Sequence, residues 1–207
     1  MKKNKSQQIL DILRTLYPDA QSELNFKNNY QLIIAVVLSA QCTDKKVNDV
    51  TKDLFKTYPN FKSLANSNLK EVEAIIKQVN YYKTKAKNII NLAKQIINEF
   101  DNKVPTKIEE LIKLSGVGRK TASVVQSEIG VDPALPVDTH VFRVSKRLGL
   151  AKGNNVLEVE DELKKVFKKQ DWRQLHHSLI FHGRRVCKAQ KPDCYNCQLN
   201  NLCEKRY

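Results

Sequence analysis

Residues 114–125 read LSGVGRKTASVV, and this stretch decides the fold that the rest of the sequence predicts. An apolar helix end meets a Gly-Val-Gly turn, and a second helical pattern starts directly behind it. Only glycine makes so tight a turn without steric cost. A Gly-x-Gly turn at a helix start presents backbone N–H groups and the positive helix end, which bind an anion without reading base sequence. The stretch therefore predicts two helices joined by a phosphate-binding turn.

The charge of the chain favours this interpretation of Gly116, Val117, Gly118 and Arg119. A plain helix-helix turn with a glycine cap is the alternative, and one Gly-x-Gly alone would leave that alternative ahead. However, 36 Lys and Arg against 22 Asp and Glu give a net charge of +14 over 207 residues, which suits a polyanionic partner. A membrane is the other polyanion, but no apolar run approaches the ~18 residues of a spanning helix. We therefore expect DNA as the partner and no membrane.

Apolar residues elsewhere repeat at helical spacing, and no segment alternates as a strand does. The longest apolar run, Leu32 to Leu38, has the length of a core element. The predicted class is therefore all-α. The clearest helical series are Ile9, Ile12, Leu13 and Leu16; Val47, Val50, Leu54 and Phe55; Ala86, Ile89, Ile90, Ala93, Ile96 and Ile97; and Val156, Val159, Leu163, Val166 and Phe167.

Two helix starts carry recognisable capping residues. Thr106 and Glu109 have the spacing of a capping box. Asp138 starts a helix that stops at Gly149, and as its N-cap the carboxylate accepts backbone N–H bonds and stays ionised. An ionised carboxylate also suits a site that stabilises a cationic sugar or takes a proton. The sequence does not separate these two roles of Asp138, which are compatible.

Lys120 lies in the first turn of the second helix of the hairpin. The positive helix end and the neighbouring Arg119 both disfavour a protonated amine at this position. A neutral lysine amine is a nucleophile that forms Schiff bases. A solvated lysine that binds phosphate is the alternative, and position alone favours that alternative.

Four of the five cysteines lie in one tail with the pattern C-x6-C-x2-C-x5-C, at Cys187, Cys194, Cys197 and Cys203. In a reducing compartment such a group is more typical of a metal site than of disulfides. Four thiolates fit either zinc or an iron-sulfur cluster, and the spacing matches neither a ferredoxin run nor a common zinc ribbon. Lys188 and Lys191 give the first loop a basic surface for DNA. We expect His176, His177 and His182 to pack or hydrogen-bond rather than bind metal.

Together these motifs resemble the endonuclease III family. The resemblance rests on the LSGVGRKTA hairpin at 114–122, VDTH at 137–140 and the cysteine tail, together with LSAQCTD at 38–44 and HSLIFHGR at 177–184. It spans nearly the whole chain. Each motif is moderately specific, and their order and spacing together are highly specific.

The resemblance implies a helix-hairpin-helix DNA glycosylase that removes oxidised pyrimidines from duplex DNA and cleaves 3′ of the abasic site by β-elimination through a lysine Schiff base. The family's nucleophile falls on Lys120 and its catalytic aspartate on Asp138. Its [4Fe-4S] ligands fall on the four cysteines of the tail, Cys187, Cys194, Cys197 and Cys203. Gln41 then fills the stack that the flipped base vacates, a surface glutamine between helices being the alternative. Where the family usually has Gly-Leu or a similar pair, this chain has Asn80-Tyr81, whose aromatic ring can stack.

The resemblance also implies the architecture. Residues 22–132 are expected to form a six-helix barrel domain that contains the hairpin, and both chain ends, 1–21 and 133–207, a [4Fe-4S] cluster domain, with a DNA cleft between the two lobes. We expect a cytoplasmic, nucleoid-associated monomer that acts on double-stranded DNA with damaged bases or abasic sites.

Two other functions remain in competition. A monofunctional glycosylase of the same superfamily releases a base by water attack and does not need Lys120; adenine glycosylases also generally carry a further C-terminal domain. A non-catalytic DNA-binding module with a redox-sensing cluster would need neither Lys120 nor Asp138. The presence of both residues at the expected separation favours the bifunctional enzyme.

Overall fold

The computed structural model describes residues 4–205, and over this range the chain is helical with no strand, which confirms the predicted all-α class. Two 3₁₀ turns lie at Lys169–Asp171 and Asn200–Leu202. Across the described range, none of the helices combines the length and the apolarity needed to cross a membrane. The α-helices are α1 (Lys5–Leu16), α2 (Asn29–Ser39), α3 (Asp44–Thr57), α4 (Phe61–Ala65), α5 (Leu69–Ile75), α6 (Tyr82–Glu99), α7 (Ile108–Leu111), α8 (Arg119–Ile129), α9 (Thr139–Leu148), α10 (Val156–Val166) and α11 (Trp172–Arg185).

The described residues divide into two compact units. The central unit, Glu23–Asp132, contains α2 to α8. The terminal unit, residues 4–22 and 133–205, contains α1 and α9 to α11. Each unit has its own apolar core. Residues 1–3 and 206–207 of the expected cluster domain lie outside the described residues.

Helix α2 forms the middle of the central unit. Its N-cap, Asn28, accepts a hydrogen bond from the backbone N–H of Gln31 at 3.0 Å. Every side chain from Leu32 to Leu38 is at most 4% exposed, whereas a surface helix buries only one face. The helix packs against α3, α6 and α8. The prediction that this run forms a core element is confirmed.

The terminal unit joins the two ends of the chain in one core. Helix α1 buries Ile9, Leu10 and Leu13 and packs against α11, which in turn packs against α9. Leu175 and Leu179 of α11 are fully buried in the same core. Residues close to both chain ends therefore stabilise one another through apolar burial.

Helix α7 begins later than its predicted capping box requires. Lys107 is its N-cap, and no side chain caps the helix, so the prediction that Thr106 and Glu109 form a capping box was wrong. Val104 before the helix and Leu111 within it are buried. This packing, rather than a local cap, sets where the helix starts.

Helix α9 begins and ends where the sequence predicts. Asp138 is its N-cap, and one carboxylate oxygen accepts the backbone N–H groups of His140 and Val141, both at 2.8 Å. Gly149 ends the helix with a left-handed φ of 74°, a conformation that favours glycine. The structural role predicted for Asp138 is confirmed.

The cap predicts how two substitutions of Asp138 differ. Asp138→Asn keeps an oxygen that can accept both N–H bonds, so its free energy of unfolding should stay within about 0.5 kcal/mol of wild type. Asp138→Ala leaves both donors without that acceptor and should cost about 1 kcal/mol. Urea denaturation followed by circular dichroism measures the difference, and equal stabilities for the two variants would contradict the assigned cap.

Candidate functional site

The hairpin between α7 and α8 is held in place from inside the central unit. Gly116 turns the chain with a left-handed φ of 79°, and a Cβ there would lie 2.9 Å from the side chain of Asn88. Val117 is buried, and its N–H donates to the carbonyl of Leu114 at 3.1 Å. The N–H of Ser115 donates to Gln95 of α6 at 2.8 Å. Backbone conformation and packing both require glycine at position 116.

Gly118 differs from Gly116 in its backbone conformation and in the space that surrounds it. Its backbone is extended, with φ −84° and ψ 172°, and a Cβ on it would meet nothing within 4 Å. It is the N-cap of α8, and no side chain caps that helix. The start of α8 therefore presents N–H groups and the positive end of the helix dipole at an exposed surface, an arrangement that attracts anions.

Arg119 and Lys120 form the first two residues of α8, and both are exposed. The first turn of the helix contains no acidic residue. This surface combines two cationic side chains with the positive end of the helix. Of the two side chains, Lys120 has an amine that can act as a nucleophile, whereas Arg119 has a guanidinium that stays protonated. The site can bind a phosphate and can attack an electrophilic carbon.

Asp138 belongs to the terminal unit and is half-buried at the start of α9. The segment before it is held by His176, whose buried ring nitrogen Nδ1 lies 2.8 Å from the carbonyl oxygen of Pro136. Burial lowers the pKa of the neighbouring His140, and the Asp138 carboxylate opposes that shift. The Nη2 atom of Arg143 lies 3.1 Å from Nδ1 of His140, and the positive charge of this guanidinium also lowers the pKa of His140.

Gln41 and Tyr81 lie in two loops of the central unit, at the end of α2 and the start of α6. Both side chains are exposed, Tyr81 by 69%. Both residues have a left-handed backbone, with φ 54° and 57°. The amide nitrogen of Asn80 donates to the carbonyl of Gln41 at 2.7 Å. The structure therefore brings the two loops that carry Gln41 and Tyr81 into contact.

The four cysteines of the tail, Cys187, Cys194, Cys197 and Cys203, line one cavity of the terminal unit with about 370 Å³ of empty space, part of which is open to solvent. Arg147, His182 and Pro192 line it too. Burial raises the pKa of the thiols of Cys197 and Cys203, so a cation in the cavity would be needed to hold them as thiolates. Among residues 4–205, no three His, Cys, Asp or Glu side chains are grouped to hold a single metal ion.

Arg147, which belongs to no sequence motif, joins the cysteine loop to α9 through hydrogen bonds. Its side chain is 9% exposed and donates to the carbonyls of Lys188 and Ala189 at 2.7 and 3.1 Å and to the sulfur of Cys187 at 3.5 Å. The sulfur of Cys203 lies 3.1 Å from the carbonyl of Arg147 itself. No local signal could have found this residue, because its partners lie about forty positions away.

The histidines pack and hydrogen-bond as predicted. His176 and His177 are buried edge to face. The Nδ1 atom of His182 forms a hydrogen bond with the hydroxyl of Tyr17 at 3.1 Å, and its Nε2 atom lies 3.6 Å from the sulfur of Cys197. Burial lowers the pKa of His182 to about 4, so the ring is neutral.

The loop between Cys187 and Cys194 carries the two lysines that were predicted to bind DNA. Lys188 and Lys191 are exposed, and Lys191 has a left-handed φ of 50°. Tyr195, between the second and third cysteines, is 94% exposed. The bonds from Arg147 to the backbone of this loop leave the lysine side chains directed outward to solvent.

Comparison with known proteins agrees with this arrangement. Residues 34–169 match the model of the HhH-GPD superfamily base excision DNA repair protein. The endonuclease III of Bacillus subtilis is 48% identical over 197 residues, which cover 95% of this chain and 90% of that protein. Two solved structures, a non-covalent endonuclease III–DNA complex and a trapped endonuclease III–DNA covalent intermediate, each share 47% identity at a TM-score of 0.90. Each match covers 98% of this chain. It covers 96% of the protein chain in the non-covalent complex and 97% of the protein chain in the covalent intermediate. The chain therefore belongs to the endonuclease III family of the HhH-GPD superfamily.

Proposed function

We propose that this protein is a bifunctional DNA glycosylase and AP lyase that removes oxidised pyrimidines from duplex DNA through a Schiff base on Lys120. The observation that carries the proposal is an exposed lysine in the first turn of a helix whose positive end no side chain caps. A phosphate-binding surface and an amine nucleophile therefore occupy the same turn. The solved covalent intermediate of a relative with 47% identity supports covalent chemistry.

The hairpin is proposed to bind the DNA backbone through Gly116, Val117, Gly118 and Arg119. Neither the backbone conformation nor the packing requires glycine at position 118, since a Cβ there would meet nothing within 4 Å. A partner that approaches the backbone closely explains the residue, and a phosphate on the N–H groups of α8 is such a partner. Contacts of this kind bind without sequence preference.

The chemistry starts with the damaged nucleotide outside the base stack, a step that costs a few kcal/mol and least at a damaged pair. The amine nitrogen of Lys120 forms a bond to the sugar C1′ with its lone pair while the glycosidic bond breaks, and the base leaves with the electron pair of that broken bond. The Asp138 carboxylate stabilises the developing cationic sugar. It then takes a proton from the C1′-bound nitrogen and passes it to O4′ as the C1′–O4′ bond breaks, and the nitrogen lone pair forms the protonated imine. The imine acidifies the C2′ proton, and its loss expels the 3′ phosphate. In the DNA, Gln41 fills the vacated stack and Tyr81 stacks beside the opposite strand.

Cys187, Cys194, Cys197 and Cys203 are proposed to hold a [4Fe-4S] cluster. Support comes from the single cavity that all four thiols line and from its size, since a cluster of several atoms needs a cavity rather than one point between the thiols. Arg147 and His182 lie beside that cavity and contact its sulfurs. When bound, the cluster ties the tail into the terminal unit and supports the basic surface of Lys188 and Lys191 against DNA.

The same proposal assigns a role to each unit. The central unit, in which the described residues form seven helices including the short α4 and α7, is proposed to be the domain with the hairpin that was expected as a six-helix barrel over residues 22–132. The terminal unit is proposed to be the cluster domain. The net charge of +14 and the DNA complex of a solved relative support double-stranded DNA as the partner. The enzyme is expected to act as a monomer in the cytoplasm, at the nucleoid that contains its substrate.

The Schiff base predicts a covalent trap. Borohydride added while the protein acts on a duplex with an oxidised pyrimidine should reduce the imine and link protein to DNA. Lys120→Ala should abolish the link, because it removes the amine, while affinity for the duplex stays within about threefold, since backbone N–H groups supply phosphate contacts. Denaturing gel electrophoresis measures the link, and Lys94→Ala, which removes an exposed lysine of α6, is the control.

Each other result identifies a different function or nucleophile. Base release without trapping in the wild-type protein would favour the monofunctional glycosylase. Neither release nor trapping with any lesion would favour the non-catalytic DNA-binding module. Trapping that survives in Lys120→Ala would show that another amine is the nucleophile.

The two hairpin glycines predict opposite phenotypes. Gly116→Ala should lower the free energy of unfolding by more than about 1 kcal/mol, because alanine is strained at this φ and meets Asn88. Gly118→Ala should leave stability unchanged or slightly higher but weaken duplex binding about tenfold, because its methyl group blocks the approach of a phosphate. Denaturation and fluorescence anisotropy test the pair, and full DNA affinity in Gly118→Ala would contradict the proposed backbone contact.

The cluster predicts the metal content of the purified protein. The protein should be yellow-brown and contain iron and acid-labile sulfide near four each per chain. Cys197→Ser should lose iron, stability and DNA affinity together, because a metal site ties its loops into the native state. Elemental analysis with visible absorption measures this, and a colourless protein with one zinc per chain would overturn the assignment.

A further inference from the structure

Gln41 and Tyr81 hold a backbone conformation that their side chains disfavour. Both have φ near 55°, in the left-handed region that residues other than glycine disfavour because the Cβ atom comes too close to the carbonyl oxygen. Such residues persist only where the surrounding structure holds them. Both side chains are exposed, so their own packing does not supply that restraint.

Part of the restraint on Gln41 is Lys85, a buried lysine of α6. Its side chain is 6% exposed, and its ammonium donates to the carbonyls of Leu38 and Ala40 at 2.8 and 2.6 Å. The last turn of α2 contains no basic residue of its own. Lys85 therefore supplies, from another helix, the cation that favours the negative end of a helix.

Asn80 supplies the next contact along the same loop. The carbonyl of Ser39 accepts the N–H of Cys42 at 3.0 Å, and the carbonyl of Gln41 accepts the amide of Asn80 at 2.7 Å. Together with the two bonds from Lys85, these bonds satisfy four carbonyls between positions 38 and 41. The donors Asn80 and Lys85 flank Tyr81 in sequence, so one set of bonds fixes both loops.

Burial and hydrogen bonding act in opposite directions on the charged amine of Lys85. Burial lowers its pKa, and the nearby Cys42 opposes the shift. The two carbonyls compensate the ammonium for the water it has lost. Removing the amine while keeping the apolar stem would leave both carbonyls without this donor and release the end of α2.

We propose that Lys85 and Asn80 are positioning residues that hold Gln41 and Tyr81 at a fixed separation, so that both side chains enter the duplex together when the damaged base leaves the stack. The inference rests on the proposed function. It explains the left-handed backbone of Gln41 and Tyr81 as a conformation that is held for insertion of both side chains into DNA. It predicts that the bonds matter for reactions on duplex DNA and not for the chemistry at the sugar.

The test compares Lys85→Met with Lys94→Met, which removes the same charge from an exposed position of the same helix. Base release from a duplex should fall at least about tenfold in Lys85→Met and stay near wild type in Lys94→Met. Borohydride trapping on an abasic site in single-stranded DNA needs no base extrusion, so it should be equal in all three proteins. Fluorescence of 2-aminopurine next to the lesion should show slower or incomplete extrusion in Lys85→Met alone.

A double-mutant comparison separates positioning from general damage. In a Gln41→Ala, Tyr81→Ala background, adding Lys85→Met should have little further effect on duplex base release, because the residues that it positions are absent. Asn80→Ala, a change at an exposed side chain, should reproduce the duplex defect more weakly and serves if Lys85→Met does not fold.

Three results would overturn the inference. They are normal duplex base release in both Lys85→Met and Asn80→Ala, an equal loss on single-stranded and duplex substrates, and a full additional loss in the Gln41→Ala, Tyr81→Ala background. A wild-type protein that never traps would instead refute the proposed function.

Discussion

The burial of α2 on all sides is the constraint on which the central unit depends. The helix is enclosed as far as Leu38, whose carbonyl is out of reach of water and needs a partner within the protein. Lys85 and Asn80 provide partners, and in doing so they fix the loop that carries Gln41. Core packing and the geometry of an exposed loop are therefore consequences of the same requirement.

The starts of α8 and α9 show how one physical feature serves two purposes. Both helices begin with N–H groups that have no partner within the helix. At α9 the carboxylate of Asp138 accepts two of them, whereas at α8 Gly118 offers no side chain to do so. The capped start is stable within the protein, and the uncapped start is available to an anion from outside.

The cysteine loop depends on a long-range contact in the same way. Its backbone carbonyls at Lys188 and Ala189 accept from Arg147, a nearly buried guanidinium of α9. A planar guanidinium with several donors suits this task, because it can reach two carbonyls and a sulfur at once. The proposed cluster site thus has a rigid neighbour on one side, and its basic side chains remain exposed.

Local patterns in the sequence determined the helical class, the hairpin around Gly116 and the cap at Asp138, because each depends on contacts within a few residues. The cysteine spacing likewise identified the four thiols that line one cavity. The tertiary structure alone decided the start of α7, where the burial of Val104 and Leu111 overrode a local capping pattern. It also decided the roles of Lys85 and Arg147, whose carbonyl partners lie 47 and 41 residues away in the chain. A buried cation is stable only beside hydrogen-bond acceptors, and folding brings these carbonyls to it.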